Sequence, residues 1–250
     1  MLEEHDEGPI RTLKLARPPV NALDEALLAR LEAAVRRAPE AGVRGLIITG
    51  SGERFSAGLD VRAILKLERI GVESFWRAFF GCLGAIAACP LPVIAAINGH
   101  SPAGGAVLAL YCDRRLMAEG AYRIGLNEVA VGLYPGPVIH RVLRRIVGER
   151  LAAEFLSTGA MLSPAAALAG GLVDELAPPA ELHGRAKAWL ERVLALPAAA
   201  YAQTRALTRA DLIELGPALS GSAYAQMTDA WLAPETQATL QALFAKPAKR

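Results

Sequence analysis

Histidine and cysteine are scarce in this 250-residue chain, with four of the first and three of the second. His5, His100, His140 and His183 stand apart, without the paired spacings that hold a metal ion, so no metal site is expected. Cys82, Cys89 and Cys112 lie in apolar surroundings with no zinc or disulfide spacing. That pattern predicts buried, reduced thiols and a cytoplasmic location. Charge is thin as well. Charged residues make up 21% of the chain, the formal net charge is +2, and Lys and Arg are scattered, which leaves no basic face for nucleic acid. The densest basic group, Arg141, Arg144, Arg145 and Arg150, reads as a solvated helix face; its alternative is a patch for a phosphate-bearing ligand. Residues 1–7 are acidic and lack the apolar centre of a signal peptide. The longest apolar stretches are broken by Pro, Gly or charge before membrane-spanning length, so no membrane partner is expected.

Apolar residues, by contrast, reach 53%, enough for one substantial core or a core with an appended lobe. Residues 10–16 alternate as a half-exposed strand, and Asp24 is placed to cap a helix carrying Leu27, Leu28, Leu31, Ala34 and Val35. A short buried strand follows over 45–50. This β-α-β alternation favours an α/β fold. Residues 61–88 are helical in pattern, with Gly71 expected to separate two helices. An apolar, β-branched run over 91–97 reads as a buried strand, and short strands are expected over 114–118 and 122–125. Beyond residue 138 the pattern turns helical, over 138–158, 164–169, 180–196, 198–215 and 234–245, with a last strand over 172–176.

The organising stretch runs from Ile97 to Asp113. A small-residue elbow, with Pro102, Gly104 and Gly105, joins the buried strand to a helix without charge until Asp113. Such an elbow brings the backbone close to a ligand and aims free N–H groups at it, reinforced by the helix dipole. A second elbow, Ser56-Ala-Gly-Leu-Asp60, has the same character. Two N–H groups converging from such elbows would polarise a carbonyl and hold an enolate. Competing chemistries fit less well. The glycine turn at Gly50 and Gly52 has Phe55 where a dinucleotide fold needs its third glycine. Ser101 resembles a hydrolase nucleophile, but the next residue is Pro102, which has no N–H for an oxyanion.

Together, Phe55-Ser-Ala-Gly-Leu-Asp60, Ile97-Asn-Gly99 with Pro102-Ala-Gly-Gly105, Cys112-Asp113, Ile124-Gly-Leu-Asn-Glu128 and Arg17-Pro-Pro-Val-Asn-Ala-Leu23 resemble the enoyl-CoA hydratase/isomerase (crotonase) superfamily. The form of these motifs is most similar to the mitochondrial-type Δ3,Δ2-enoyl-CoA isomerases. The resemblance implies a crotonase-like β/α spiral core over 1–190 and a helical lobe over 191–250 that serves oligomerisation and covers the active site. It also implies a homotrimer or dimer of trimers, an acyl-CoA thioester as substrate, and no cofactor beyond the coenzyme A that the substrate itself carries. Carried over by position, the main-chain N–H groups of Leu59 and Gly104 would form the oxyanion hole, and Glu128 would be the catalytic carboxylate. Ala57, Gly58, Asp60, Val61 and Asn127 would line the substrate path, with helix capping an alternative role for Asp60. Asp113 is expected to fix a turn. The resembling hydratases have a second glutamate where this chain has Val107, and one carboxylate suffices for a double-bond shift. Hydration of an enoyl-CoA and non-catalytic acyl-CoA binding are the other readings.

Overall fold

The structure is a computed structural model that describes residues 1–218 and 221–245. The chain opens with β1 (Leu2–Glu7) and β2 (Ile10–Leu15), an antiparallel hairpin, followed by α1 (Glu25–Arg37) and β3 (Gly45–Gly50). Asp24 caps α1 by accepting a hydrogen bond from Leu27 N at 2.8 Å. Next come α2 (Val61–Ile64), α3 (Arg69–Ala88), β4 (Val93–Ile97), β5 (Ser101–Pro102), α4 (Gly104–Leu110), β6 (Arg114–Ala118) and β7 (Ile124–Gly125). A 3-10 turn (Val129–Val131) leads into α5 (Gly136–Thr158), β8 (Met161–Leu162), α6 (Pro164–Ala169) and β9 (Glu175–Ala177). The remainder is helical: α7 (Leu182–Leu194), α8 (Ala198–Thr208), α9 (Ala210–Ala218), α10 (Gly221–Leu232) and α11 (Pro234–Ala245).

One sheet has the order β1-β2-β3-β4-β6-β9, parallel throughout except for β1. The period of two decides which core each side chain joins. Leu46, Ile48, Val93, Ala95 and Ile97 face the larger core shared with α1, α3 and α4, while Ile47, Ile94 and Leu116 face Leu182, Ala186 and Leu190 of α7. A second sheet of order β5-β7-β8 lies at the carboxyl ends of the main strands, where open parallel sheets place their sites. This is the mixed α/β architecture that the sequence predicts.

Several elements differ from expectation, each for a visible reason. Residues 1–7 form a strand whose charges are drawn to basic neighbours, as in the Arg11–Asp6 pair at 2.6 Å and the Lys14–Glu3 pair at 3.0 Å. The break in 61–88 falls at Leu65–Glu68, not Gly71. Gly71 instead lets α3 pass the turn closely, since a Cβ there would lie 3.1 Å from that of Leu67. The helix expected over 198–215 divides at Arg209, whose guanidinium turns inward to Asp113. The last strand is Glu175–Ala177 because Asp174 is committed to Arg115 at 2.7 Å. α10 was not foreseen. α3 has the length and apolarity of a membrane span, yet its Val72, Phe75, Phe79 and Leu83 are buried in the core. The basic group on α5 is a face knit by ion pairs, Arg145 to Asp211 at 2.7 Å and Arg144 to Glu149 at 3.2 Å.

Candidate active site

Both elbows are fixed by main-chain bonds that leave one amide in each unused. In the first, Leu23 N donates to Gly58 O and Asp60 N to Leu23 O, at 2.8 and 2.9 Å. Leu59 sits between these bonds in a parallel bridge to Leu23, so its own N–H faces the opposite way and meets no acceptor among the described residues. Asn21 stitches the loop from below, donating to Ser51 O at 3.0 Å and Arg54 O at 2.8 Å, while Phe55 anchors it in the core. Gly58 adopts φ +83°, a conformation that favours glycine.

In the second elbow, Ser101 N donates to Arg123 O at 2.9 Å and Ala103 N to Gly125 O at 2.8 Å. Ala103 is held at φ 47°, ψ −123°. That sparsely populated region costs a non-glycine residue roughly 1–3 kcal/mol and is tolerated where the surroundings enforce it. α4 begins at the next residue, so Gly104 N lies at a helix start and has no intrahelical acceptor. The two elbows touch. A Cβ on Gly58 would lie 3.1 Å from Gly104 N, and one on Gly104 would lie 3.3 Å from Leu59 N and 2.8 Å from its side-chain methyl. The free amides of Leu59 and Gly104 are thus neighbours.

They open on a cavity of about 750 Å³. Ala57, Leu59, Asp60, Val61, Gly104, Asn127 and Glu128 line it together. Gly58 does not. It is buried between the elbows, its N donating to Ser56 Oγ at 3.1 Å, and it supports the wall rather than forming it. Asp60 has its own partners: it caps α2 through Ala63 N at 3.0 Å and pairs with Arg17 at 2.6 Å. Val107 lines the cavity beside Gly104.

Glu128 heads the 3-10 turn but does not cap it. Its Oε2 is sealed from solvent without a hydrogen-bond partner. Burial pushes its carboxyl up from 4.5 to about 7, opposed only by its own main-chain amide. A carboxylate poised there can both take and return a proton near neutral pH.

The far wall is apolar. Trp76, Phe79 and Phe80 of α3 face Met227, Ala230 and Trp231 of α10, with the two indoles edge to face at 5.9 Å. Leu133 and Tyr134 continue the lining toward the cavity mouth. Phe75 is buried beneath it, and Tyr134 stands 70% exposed at the rim. Met227 and Trp231, missed in the sequence, carry only the signal of apolar residues one helical turn apart. Arg17 was also missed as a wall residue, since its motif reads as a turn.

Ser101 is wholly buried, and two of the histidines face carboxylates elsewhere, His140 with Glu149 and His183 with Glu7. The geometry does not assemble a hydrolase. His100 packs edge-on against Tyr122 at 5.5 Å, outside the cavity. Asp113 does more than fix a turn. It accepts from Val93 N at 2.7 Å and pairs with Arg205 and Arg209 at 3.0 and 2.9 Å, tying α8 and its C-terminal neighbour residue to the core.

Comparison with known proteins identifies the family. The model of the enoyl-CoA hydratase/isomerase family matches residues 5–229. "Enoyl-CoA delta isomerase 1, mitochondrial" of Rattus norvegicus is 32% identical over 212 residues, 84% of this chain and 73% of that protein. A putative enoyl-CoA hydratase of Thermus thermophilus is 37% identical over 172 residues, 68% of this chain and 67% of that one. Among solved structures, human mitochondrial delta3-delta2-enoyl-CoA isomerase aligns with a TM-score of 0.94 at 27% identity, covering 98% of this chain and 96% of the other.

Proposed function

This chain belongs to the enoyl-CoA hydratase/isomerase family, and we propose that within it the protein is a Δ3,Δ2-enoyl-CoA isomerase acting on 3-enoyl-CoA thioesters. The observation that carries the reading is the count of usable carboxylates. Asp60 and Glu128 are the two on the cavity wall among the described residues; Asp60 is neutralised by Arg17, and Val107 occupies the place where the resembling hydratases have a glutamate.

Shifting a double bond needs one group that removes a proton and returns it two carbons away. The thioester oxygen sits between the N–H groups of Leu59 and Gly104. Glu128 takes a proton from C2, and the negative charge passes through the dienolate to that oxygen. The same proton then goes to C4, leaving the 2-trans-enoyl thioester with no net gain or loss of protons. Base catalysis of this kind contributes on the order of 10²–10⁴-fold, and one oxyanion donor ~10²–10³-fold. Coenzyme A enters as part of the substrate, with no separate cofactor, and the apolar wall of α3 and α10 receives the acyl chain. Fatty-acid β-oxidation of unsaturated chains, a cytoplasmic location and a homotrimer or dimer of trimers complete the proposal.

Hydration remains the second reading, because the T. thermophilus relative is described as a putative hydratase. Turnover of 3-hexenoyl-CoA and crotonyl-CoA, followed through the conjugated thioester absorbance, separates the two. Conversion of the first with little consumption of the second is expected. Crotonyl-CoA consumed faster than 3-hexenoyl-CoA would replace the isomerase reading with hydration, and turnover of neither would leave acyl-CoA binding alone.

A further inference from the structure

Asn127 and Glu128 present an unusual pairing. Both line the cavity, and each has a side-chain oxygen, Oδ1 and Oε2, that is shut off from solvent and has no hydrogen-bond partner. Buried acceptors without donors are rare in folded proteins and call for an explanation. The usual structural use of such side chains is to cap a turn. Here the turn is closed by main-chain bonds instead, from Ala130 N to Asn127 O at 3.1 Å and from Val131 N to Glu128 O at 3.0 Å. No side chain caps it.

Two buried acceptors without donors thus stand on consecutive residues of one cavity wall, and a protonated Glu128 would supply a donor. We propose that Asn127 is a positioning residue for the protonated state of Glu128: once the carboxylate has taken the substrate proton, its Oε2–H donates to Asn127 Oδ1. The carboxylic acid is then held in the cavity, aimed at the acyl chain, until the proton passes to C4. The bond to Asn127 forms as the C2–H bond breaks and is released as the C4–H bond forms, so no other proton source enters. This rests on the isomerase reading and adds to it the means of keeping the proton.

Among the described residues, Asp60, Arg17 and Arg62 are the other charged groups that line the cavity. Arg17 is bound to Asp24 and Asp60, at 2.8 and 2.6 Å. The helices packed against the turn, α5 and α11, carry His140, which faces Glu149 at 3.7 Å, and Glu235.

Two measurements on wild type and Asn127→Ala decide the matter. The first converts 3-hexenoyl-CoA in D2O and reads deuterium at C4 of the product. Wild type should retain mostly the original hydrogen; Asn127→Ala should incorporate several-fold more deuterium, with kcat lowered about tenfold and KM unchanged. Full exchange in wild type, or equal retention in both proteins, overturns the proposal. The second titrates the 13C-labelled Glu128 carboxyl by NMR in substrate-free protein. Loss of the acceptor should lower the midpoint by roughly one pH unit. An unchanged midpoint overturns the proposal, and a raised one does so by showing that the two oxygens share a donating water. If 3-hexenoyl-CoA is not converted at all, the isomerase reading fails, while the titration still decides the role of Asn127.

Discussion

Glu128 shows how desolvation alone can make a base. Among the described residues no cation lies against its carboxylate to favour the charged form, and burial lifts its pKa to about 7. The rate of isomerisation should therefore climb with pH along a limb centred near 7, measured as kcat/KM. Glu128→Gln should remove the base and lower turnover by about 10²–10⁴-fold, while acyl-CoA binding, measured by calorimetry, stays nearly intact. Equal loss of both would make Glu128 structural. The same burial carries a stability consequence. In the unfolded chain the carboxyl ionises near 4.5, in the folded one near 7, so stability is greatest below 4.5 and declines as pH rises through 7. Glu128→Gln should match wild type in urea at pH 4 and exceed it at pH 8, by on the order of 3 kcal/mol.

Among the elements, α4 is the one on which the site turns. Its first residue supplies a free amide and its last turn is gripped from the C-terminal lobe. At the near end, Gly104→Ala places a methyl 2.8 Å from the Leu59 side chain and 3.3 Å from Leu59 N. The elbows must part, and kcat should fall by roughly 10²–10³, the value of one oxyanion donor, with the far-ultraviolet spectrum unchanged. At the far end, Arg209 donates to Tyr111 O and pairs with Asp113, while Arg205 donates to the last carbonyls of α3. These guanidinium groups satisfy helix-end carbonyls that would otherwise be buried without donors. Arg209→Met leaves Asp113 partly uncompensated and should destabilise the fold by roughly 3 kcal/mol in urea. The kcat/KM of the protein that remains folded should change only severalfold.

For the molecule as a whole, large apolar side chains stand uncovered on the helical lobe and beside it, Leu207 at 77% and Ile70 at 83% exposure, with Leu196 about half exposed. Scattered exposed leucines are ordinary, but the proposed trimer would cover some of them. Light scattering should return the mass of three or six 26.4-kDa chains, and a monomer at micromolar concentration would remove the trimer from the proposal. The sequence by itself determined the central strands β2, β3, β4 and β6 and the two elbows. Alternating and β-branched apolar runs can be buried in few ways, and Gly58 and Gly104 stand where added side chains would collide. It also singled out Glu128 as an acid within an apolar stretch. Tertiary structure alone decided that Gly58 supports the wall, that Asp60 is spent on Arg17, and that Trp231 meets Trp76 across the cavity. It also decided that Asp113 anchors a helix almost a hundred residues away. Those outcomes depend on contacts between distant segments, and local periodicity carries no information about which distant partner a side chain will meet.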